Sequence, residues 1–192
     1  MSLILGILDS GGAAAGAANS YESIATVTVG SGGAATISFT SIPATYTHLQ
    51  VRGIVRNDAG GGNTQNLNMT INNDTSSAYS LHQLDADGSS TSAYGENVNR
   101  SNCAQVMQLT TSTAGANIFG TGIIDILDYT NTNKNRTVRS LRGQDQNNTS
   151  GSLSFKSYLY TSTTAISRLD FISNGGNLVQ YSQLALYGIK GS

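Results

Sequence analysis

Asn117 to Gly143 reads NIFGTGIIDILDYTNTNKNRTVRSLRG, and the fold class turns on how this stretch is read. In an extended chain Ile118, Gly120, Gly122, Ile124, Ile126 and Asp128 share one face, and Phe119, Thr121, Ile123, Asp125, Leu127 and Tyr129 share the other. Both faces are largely apolar. Such a run, rich in β-branched residues and too broken by glycine for a long helix, predicts a central strand covered on both sides. Thr130 to Asn135 contains no apolar residue, and its asparagines tolerate left-handed backbone, so the chain is expected to turn there. Arg136 to Gly143 then returns as a second strand, with Val138 on one face and Leu141 on the other.

Working outward, the same period of two recurs along the chain. Ala25, Val27 and Val29 alternate with polar residues, Gly30 to Gly33 turns, and Ala35, Ile37 and Phe39 alternate on the way back, which predicts a hairpin. Pro43, the only proline, falls in the next connection. Leu49, Val51 and Val55 oppose His48, Gln50, Arg52 and Arg56, the separation expected of a sheet with one solvated face. Leu67, Met69 and Ile71 mark a strand, as do Tyr79 to Leu84 and, more weakly, Gln105 to Thr110. Residues 88 to 102 read as a polar loop, with Tyr94 its exception. In SLSFKSYLY, Leu153, Phe155 and Leu159 oppose Lys156, Tyr158 and Tyr160; Leu169 and Phe171 carry a further strand, and Leu178 to Ile189 closes the domain. No helical period of three turns competes with this pattern. The expectation is an all-β, jelly-roll-like two-sheet antiparallel sandwich over residues 21–192, with Ile124, Ile126, Val138, Phe155, Leu169 and Phe171 in its core.

Residues 1–20 differ in kind. SLILGIL at 2–8 lacks the basic region that opens a secretory signal and is far shorter than the roughly 20 residues that span a bilayer. DSGGAAAGAANS at 9–20 has the composition of a flexible linker. Together they predict an extended N-terminal arm whose Leu3, Ile4, Leu5, Ile7 and Leu8 dock on a neighbouring subunit, because five large apolar side chains are costly to leave in water.

Only 11% of residues are charged, with net charge -1 and a pI near 6.0, so hydroxyl and amide groups make the surface and no global field draws the chain to nucleic acid or an anionic membrane. Lys134, Arg136, Arg139 and Arg142 form a local basic run, but strand geometry divides it: Arg136 and Arg142 point one way and Arg139 the other. These cations are expected to be solvated or to pair between subunits. Cys103, the single cysteine, is expected to be a small buried hydrophobe.

No constellation for catalysis is visible. The two histidines, His48 and His82, lie in no nucleophile elbow and no ligand pair, and Asp125 and Asp128 fall on opposite strand faces. Asp125 is expected to pair with an arginine of a neighbouring strand. The Gly-rich run Asp58 to Asn63 lacks the Lys-Ser/Thr pair and the helix of a phosphate loop. Asp85-Ala86-Asp87-Gly88 opens like a calcium loop without its closing Glu and reads as an ordinary turn. The expectation is a protein with no enzymatic activity, cofactor or metal.

Three phrases, IIDILDYTNTNKNRTVRSLRG, SYESIATVTVGSGGAATISFTSIPATYTHLQVRG and YSQLALYGIKG, resemble a recurring virion protein of tailed phages, particularly phages of aquatic bacteria such as cyanobacteria. The resemblance spans about residues 20 to 191 and carries no catalytic motif. It implies a jelly-roll structural protein of the virion. One form is a capsid cement or decoration protein at the capsid surface, a homotrimer whose partner is the major capsid protein or another virion protein. The alternative is a tail-fibre or spike adhesin that binds a host surface glycan, for which Tyr94, Tyr158 and Tyr160 are the candidate aromatic contacts.

Overall fold

The structure, a computed structural model, describes residues 20–147 and 150–191. The arm residues Leu3, Ile4, Leu5, Ile7 and Leu8 lie outside the described residues. Twelve strands and no helix are described. In chain order they are β1 (Tyr21–Thr28), β2 (Thr36–Phe39), β3 (His48–Val55), β4 (Thr64–Ile71), β5 (Tyr79–Ala86), β6 (Thr91–Arg100), β7 (Cys103–Thr110), β8 (Gly120–Ile126), β9 (Arg136–Asp145), β10 (Gly151–Tyr160), β11 (Leu169–Ser173) and β12 (Gln183–Ile189). They form two antiparallel sheets, one of eight strands in the order β1-β12-β3-β8-β9-β10-β5-β6 and one of four in the order β2-β11-β4-β7. The four-stranded sheet packs on one face of the larger, giving a jelly-roll-like sandwich.

The core lies between the sheets. Leu49, Val51 and Val55 of β3, Ile124 and Ile126 of β8, Val138 of β9 and Leu184 and Leu186 of β12 face Phe39 of β2, Leu67, Met69 and Ile71 of β4, Leu169 and Phe171 of β11 and Met107 of β7. Each of these aliphatic or aromatic side chains, taken fully from water, stabilises the fold by roughly 1.5–3 kcal/mol. Met107 enters where β3 and β8 pair Gly53 with Gly122: a Cβ on Gly122 would stand 2.8 Å from Met107 Cγ, too close for any real contact.

Three expectations need correction. The first predicted hairpin does not form, because β1 pairs with β12 in the large sheet while β2 pairs with β11 in the small one. The Gly30–Gly33 turn therefore crosses between layers, held by backbone bonds between Ala34 and Leu178. Residues 91–100, read as loop, are the edge strand β6. An edge strand with few apolar residues gives the period-two signal little to register. The third correction concerns β8, which is covered on one face only: Gly120, Gly122, Ile124 and Ile126 point inward, whereas Thr121 and Ile123 are exposed.

The inner face of the large sheet changes character along its width. From β12 to β8 it is aliphatic or glycine. Toward β9, β10 and β5 it carries Arg142, Ser154 and Asp85 in one cross-strand row and Lys156 and Gln83 in the next. Gln105 of β7 serves both rows. It sits at a bulge with φ 60°, its N–H donating to Asn68 Oδ1 at 2.8 Å, and its amide oxygen accepts from Arg142 Nη2 at 3.2 Å and Lys156 Nζ at 2.9 Å.

Candidate docking face

The outer face of the large sheet carries most of the large apolar side chains that are exposed among the described residues. Ile123, Leu141, Phe155, Leu84 and Ala93 are successive cross-strand partners on β8, β9, β10, β5 and β6. With Ile54, Leu153 and Leu159 around this row, seven large apolar side chains share the face at exposures from 37% to 57%. Together they make a patch on the order of 500 Å², within the roughly 300–600 Å² of the largest apolar patch on a typical monomer, which is often functional. Their placement is unforced by sequence, because alternation fixes which residues share a face and leaves open which face is covered.

The patch has a protruding half and a recessed half. Leu84, Leu153 and Phe155, on β5 and β10, are the most exposed of the seven. On the β3–β8–β12 side is a shallow hollow of about 300 Å³, lined by Arg52, Ile54, Thr121, Ile123 and Ala185 and by the Gly53 and Gly122 backbone. Arg52 is held at its margin against the stacked rings of Tyr21 and Tyr187, whose centroids are 4.8 Å apart. Along one side runs a polar row in register: Gln50 Nε2 donates to Asp125 Oδ1 at 2.8 Å, and Arg139 Nη2 lies 3.4 Å from Asp125 Oδ2. Asp125 thus has the arginine partner expected of it, although on an open surface and not in a buried one.

The other residues singled out in the sequence are scattered. Tyr158 and Tyr160 are buried, so the three candidate tyrosines form no exposed platform. Tyr158 donates to Ala104 O at 2.9 Å, and Tyr160 stacks on Tyr79 and donates to Asp74 Oδ2 at 2.8 Å. Tyr94 alone is exposed, bonded to Glu96. Arg136 and Arg142, expected to be solvated or to pair between subunits, are buried on the inner face. Arg136 donates to the carbonyls of Lys134, Thr163 and Thr164, which ties β9 to the loop before β11. Phe155, expected in the core, is half exposed, and Lys156 takes the inward position beside it. Burial, reinforced by the Arg142 charge, pulls the Lys156 ammonium down to about 8.

Chemistry-bearing groups elsewhere are occupied structurally. His48 Nδ1 accepts the Asp128 N–H at 2.9 Å. Cys103 is fully buried, and burial pushes its thiol up. The Asp87 carboxylate caps its own turn, accepting the N–H groups of Ser89 and Ser90 at 2.9 and 2.7 Å, which hold it below the usual carboxylate range. Asp85 accepts from Gln83 and lies 3.9 Å from Arg142. Beside that turn, a groove of about 690 Å³ runs past Asp87, Gln144, Asp145, Ser152 and Leu153. What fold and surface define is a β-sandwich with a broad apolar outer face. No protein-family model matches the chain, and no curated protein is similar to it.

Proposed function

We propose that this chain is a non-enzymatic structural subunit of a phage virion, a cement or decoration protein that stabilises the head shell at the capsid surface. The virion setting comes from the resemblance of its sequence phrases to tailed-phage structural proteins. The observation that carries the mechanism is the apolar ladder on the outer face, which calls for a covering subunit. In this reading the sandwiches associate through that face as a homo-oligomer, and residues 2–8 reach onto neighbouring virion protein, the major capsid protein in the head. The test is binding to shells assembled without this protein. Wild-type protein is expected to bind and to raise their resistance to heat, and protein lacking residues 2–8 is expected to bind weakly. Undiminished binding of the truncated protein overturns the arm's role, and absence of the wild-type chain from the shell overturns the reading.

One observation favours the adhesin as a second reading: the groove at Asp87, Gln144, Asp145 and Ser152 presents the carboxylate, amide and hydroxyl groups that recognise a polyol. A particle map with this chain at the tail tip, together with glycan binding lost in Gln144→Ala, would establish it over the cement role.

A further inference from the structure

The ladder on the outer face raises the question of what covers it, and the relief of the face supplies an answer. Its protrusions and its hollow lie on the same surface, on strands two positions apart, with β9 between them. Neighbouring strands are about 4.8 Å apart, so Phe155 on β10 and the hollow beside Ile123 on β8 are separated by roughly 10 Å across β9.

We propose that the occupant is a second copy of this chain, packed face to face about a two-fold axis that runs along β9. This deepens the assembly reading above and rests on it for biological setting only. A rotation about that axis carries β10 of one copy over β8 of the other and β5 over β3, keeping each residue at its own level along the strands. Phe155 then comes over Ile123, Leu153 over Thr121, and Leu84 over Arg52 at the hollow's rim, in both copies at once. Mutual exchange of this kind is what an isologous contact requires. Leu141, on β9, meets its own symmetry mate.

Charge fits the same arrangement. The polar row at the margin places the two copies of Arg139 near the axis with an Asp125 on each side, a neutral quartet. The whole chain carries a net charge of only -1, so two copies repel little. Antiparallel sheets pack face to face at about 10 Å with strand directions within about 30° of each other and side chains interdigitating. About 500 Å² from each copy gives about 1,000 Å² in total, at the lower edge of specific interfaces, so the pair should dissociate in the micromolar range.

Sedimentation equilibrium of the purified full chain, without shells, tests this at concentrations up to about 100 µM. A dimer is expected, and Phe155→Glu is expected to reduce it to a monomer while leaving the circular dichroism spectrum and thermal midpoint of the isolated fold in place. Leu141→Cys supplies the geometric test. Two copies of residue 141 across the axis are too far apart for a disulfide, but within reach of a short bismaleimide, and Cys103 is too buried to compete. Efficient dimer cross-linking through the thiol introduced by Leu141→Cys is the expected result. A wild-type monomer at the highest concentration overturns the proposal, as does a trimer, a dimer that fails to cross-link through position 141, or an association abolished by deleting residues 2–8 and indifferent to Phe155→Glu. A monomer that still binds shells removes this inference and leaves the cement reading standing. A dimer that associates with no particle does the reverse.

Discussion

Phe155 and Lys156 are neighbours on β10, yet the phenyl ring is half exposed and the lysine is fully buried. The reversal is collective. On this strand Leu153, Phe155 and Leu159 all point outward, while Ser154, Lys156, Tyr158 and Tyr160 point inward, and a one-residue slip would exchange the two sets. The inward set is held by partners a slipped strand would lose: Tyr158 reaches Ala104 O, Tyr160 stacks on Tyr79, and Lys156 donates to Gln83 and Gln105. Burying the outward leucines and phenylalanine instead would take the Lys156 donor from Gln83 and Gln105 and leave Gln83 Oε1 unpaired, and an unpaired buried polar group costs about 1–3 kcal/mol.

Two substitutions, one on each side of the large sheet, should therefore behave oppositely. Phe155→Ser is expected to change unfolding free energy by no more than about 0.5 kcal/mol, measured in urea at dilution low enough to keep the chain monomeric. Ile124→Ala, inside the sandwich, is expected to cost about 2–5 kcal/mol. Equal losses would mean that the Phe155 side chain is packed within the monomer.

Lys156 should give stability an unusual pH dependence. Its folded value lies near 8, below the 10.5 of the free side chain, so between these values the unfolded chain binds more protons than the folded one. Stability then rises with pH from about 8, by at most about 1.4 kcal/mol per unit for one proton. Above 9 the Cys103 thiol, and above 10 the Tyr79 and Tyr158 hydroxyls, stay protonated in the fold and oppose the gain. The rise should be confined to about pH 8–9 and should vanish in Lys156→Met. A slope that survives in that variant would trace it to another group.

Met107 and Gly122 should be coupled. Gly122→Ala places a methyl group against Met107 Cγ at 2.8 Å and the Leu141 carbonyl at 3.3 Å, an overpacking expected to cost about 1–3 kcal/mol. Met107→Ala opens a cavity and costs about 2–5 kcal/mol alone. Combined, the added methyl occupies part of the vacated space, so the double variant should be more stable than the sum of the two losses predicts, by about 0.5 kcal/mol or more. Strict additivity would show that the Leu141 carbonyl, and not Met107, sets the cost at Gly122.

The sandwich was legible because its aliphatic strands carry a strong period-two signal. Leu49, Val51 and Val55 face inward as alternation predicts, and Ile124, Ile126, Val138, Leu169 and Phe171 all lie in the core. Strand pairing was less legible. The segments flanking Gly30–Gly33 look like a hairpin locally, and only the distant partners β12 and β11 send them to different sheets. The open apolar face was hidden for a different reason. On β8, β9 and β10 both faces carry apolar residues, so pattern alone assigns Ile123 and Phe155 to a core as readily as Ile124. The single covering sheet packs on the opposite face, so one apolar face of the large sheet stays open among the described residues.

Tyr181 offers a way to stabilise the fold that involves none of these contacts. It precedes β12 in a turn, with φ 72°, and its side chain is 70% exposed. Its N–H donates to Val29 O at 3.0 Å, fixing the turn to the strand end opposite. Left-handed backbone costs an ordinary L-residue roughly 1–2 kcal/mol, because Cβ crowds the following carbonyl. Asparagine tolerates this region better and keeps the N–H, so Tyr181→Asn is expected to gain about 0.5–1 kcal/mol and raise the thermal midpoint by about 2 °C or more. Glycine relieves the same strain but leaves the unfolded chain freer, so Tyr181→Gly should gain less. Tyr181→Val, branched at Cβ, should lose stability outright. If the valine variant matches wild type in a thermal melt, the turn is not strained at this position. If asparagine lowers the midpoint while valine lowers it further, the ring of Tyr181 contributes packing that outweighs the strain its backbone bears.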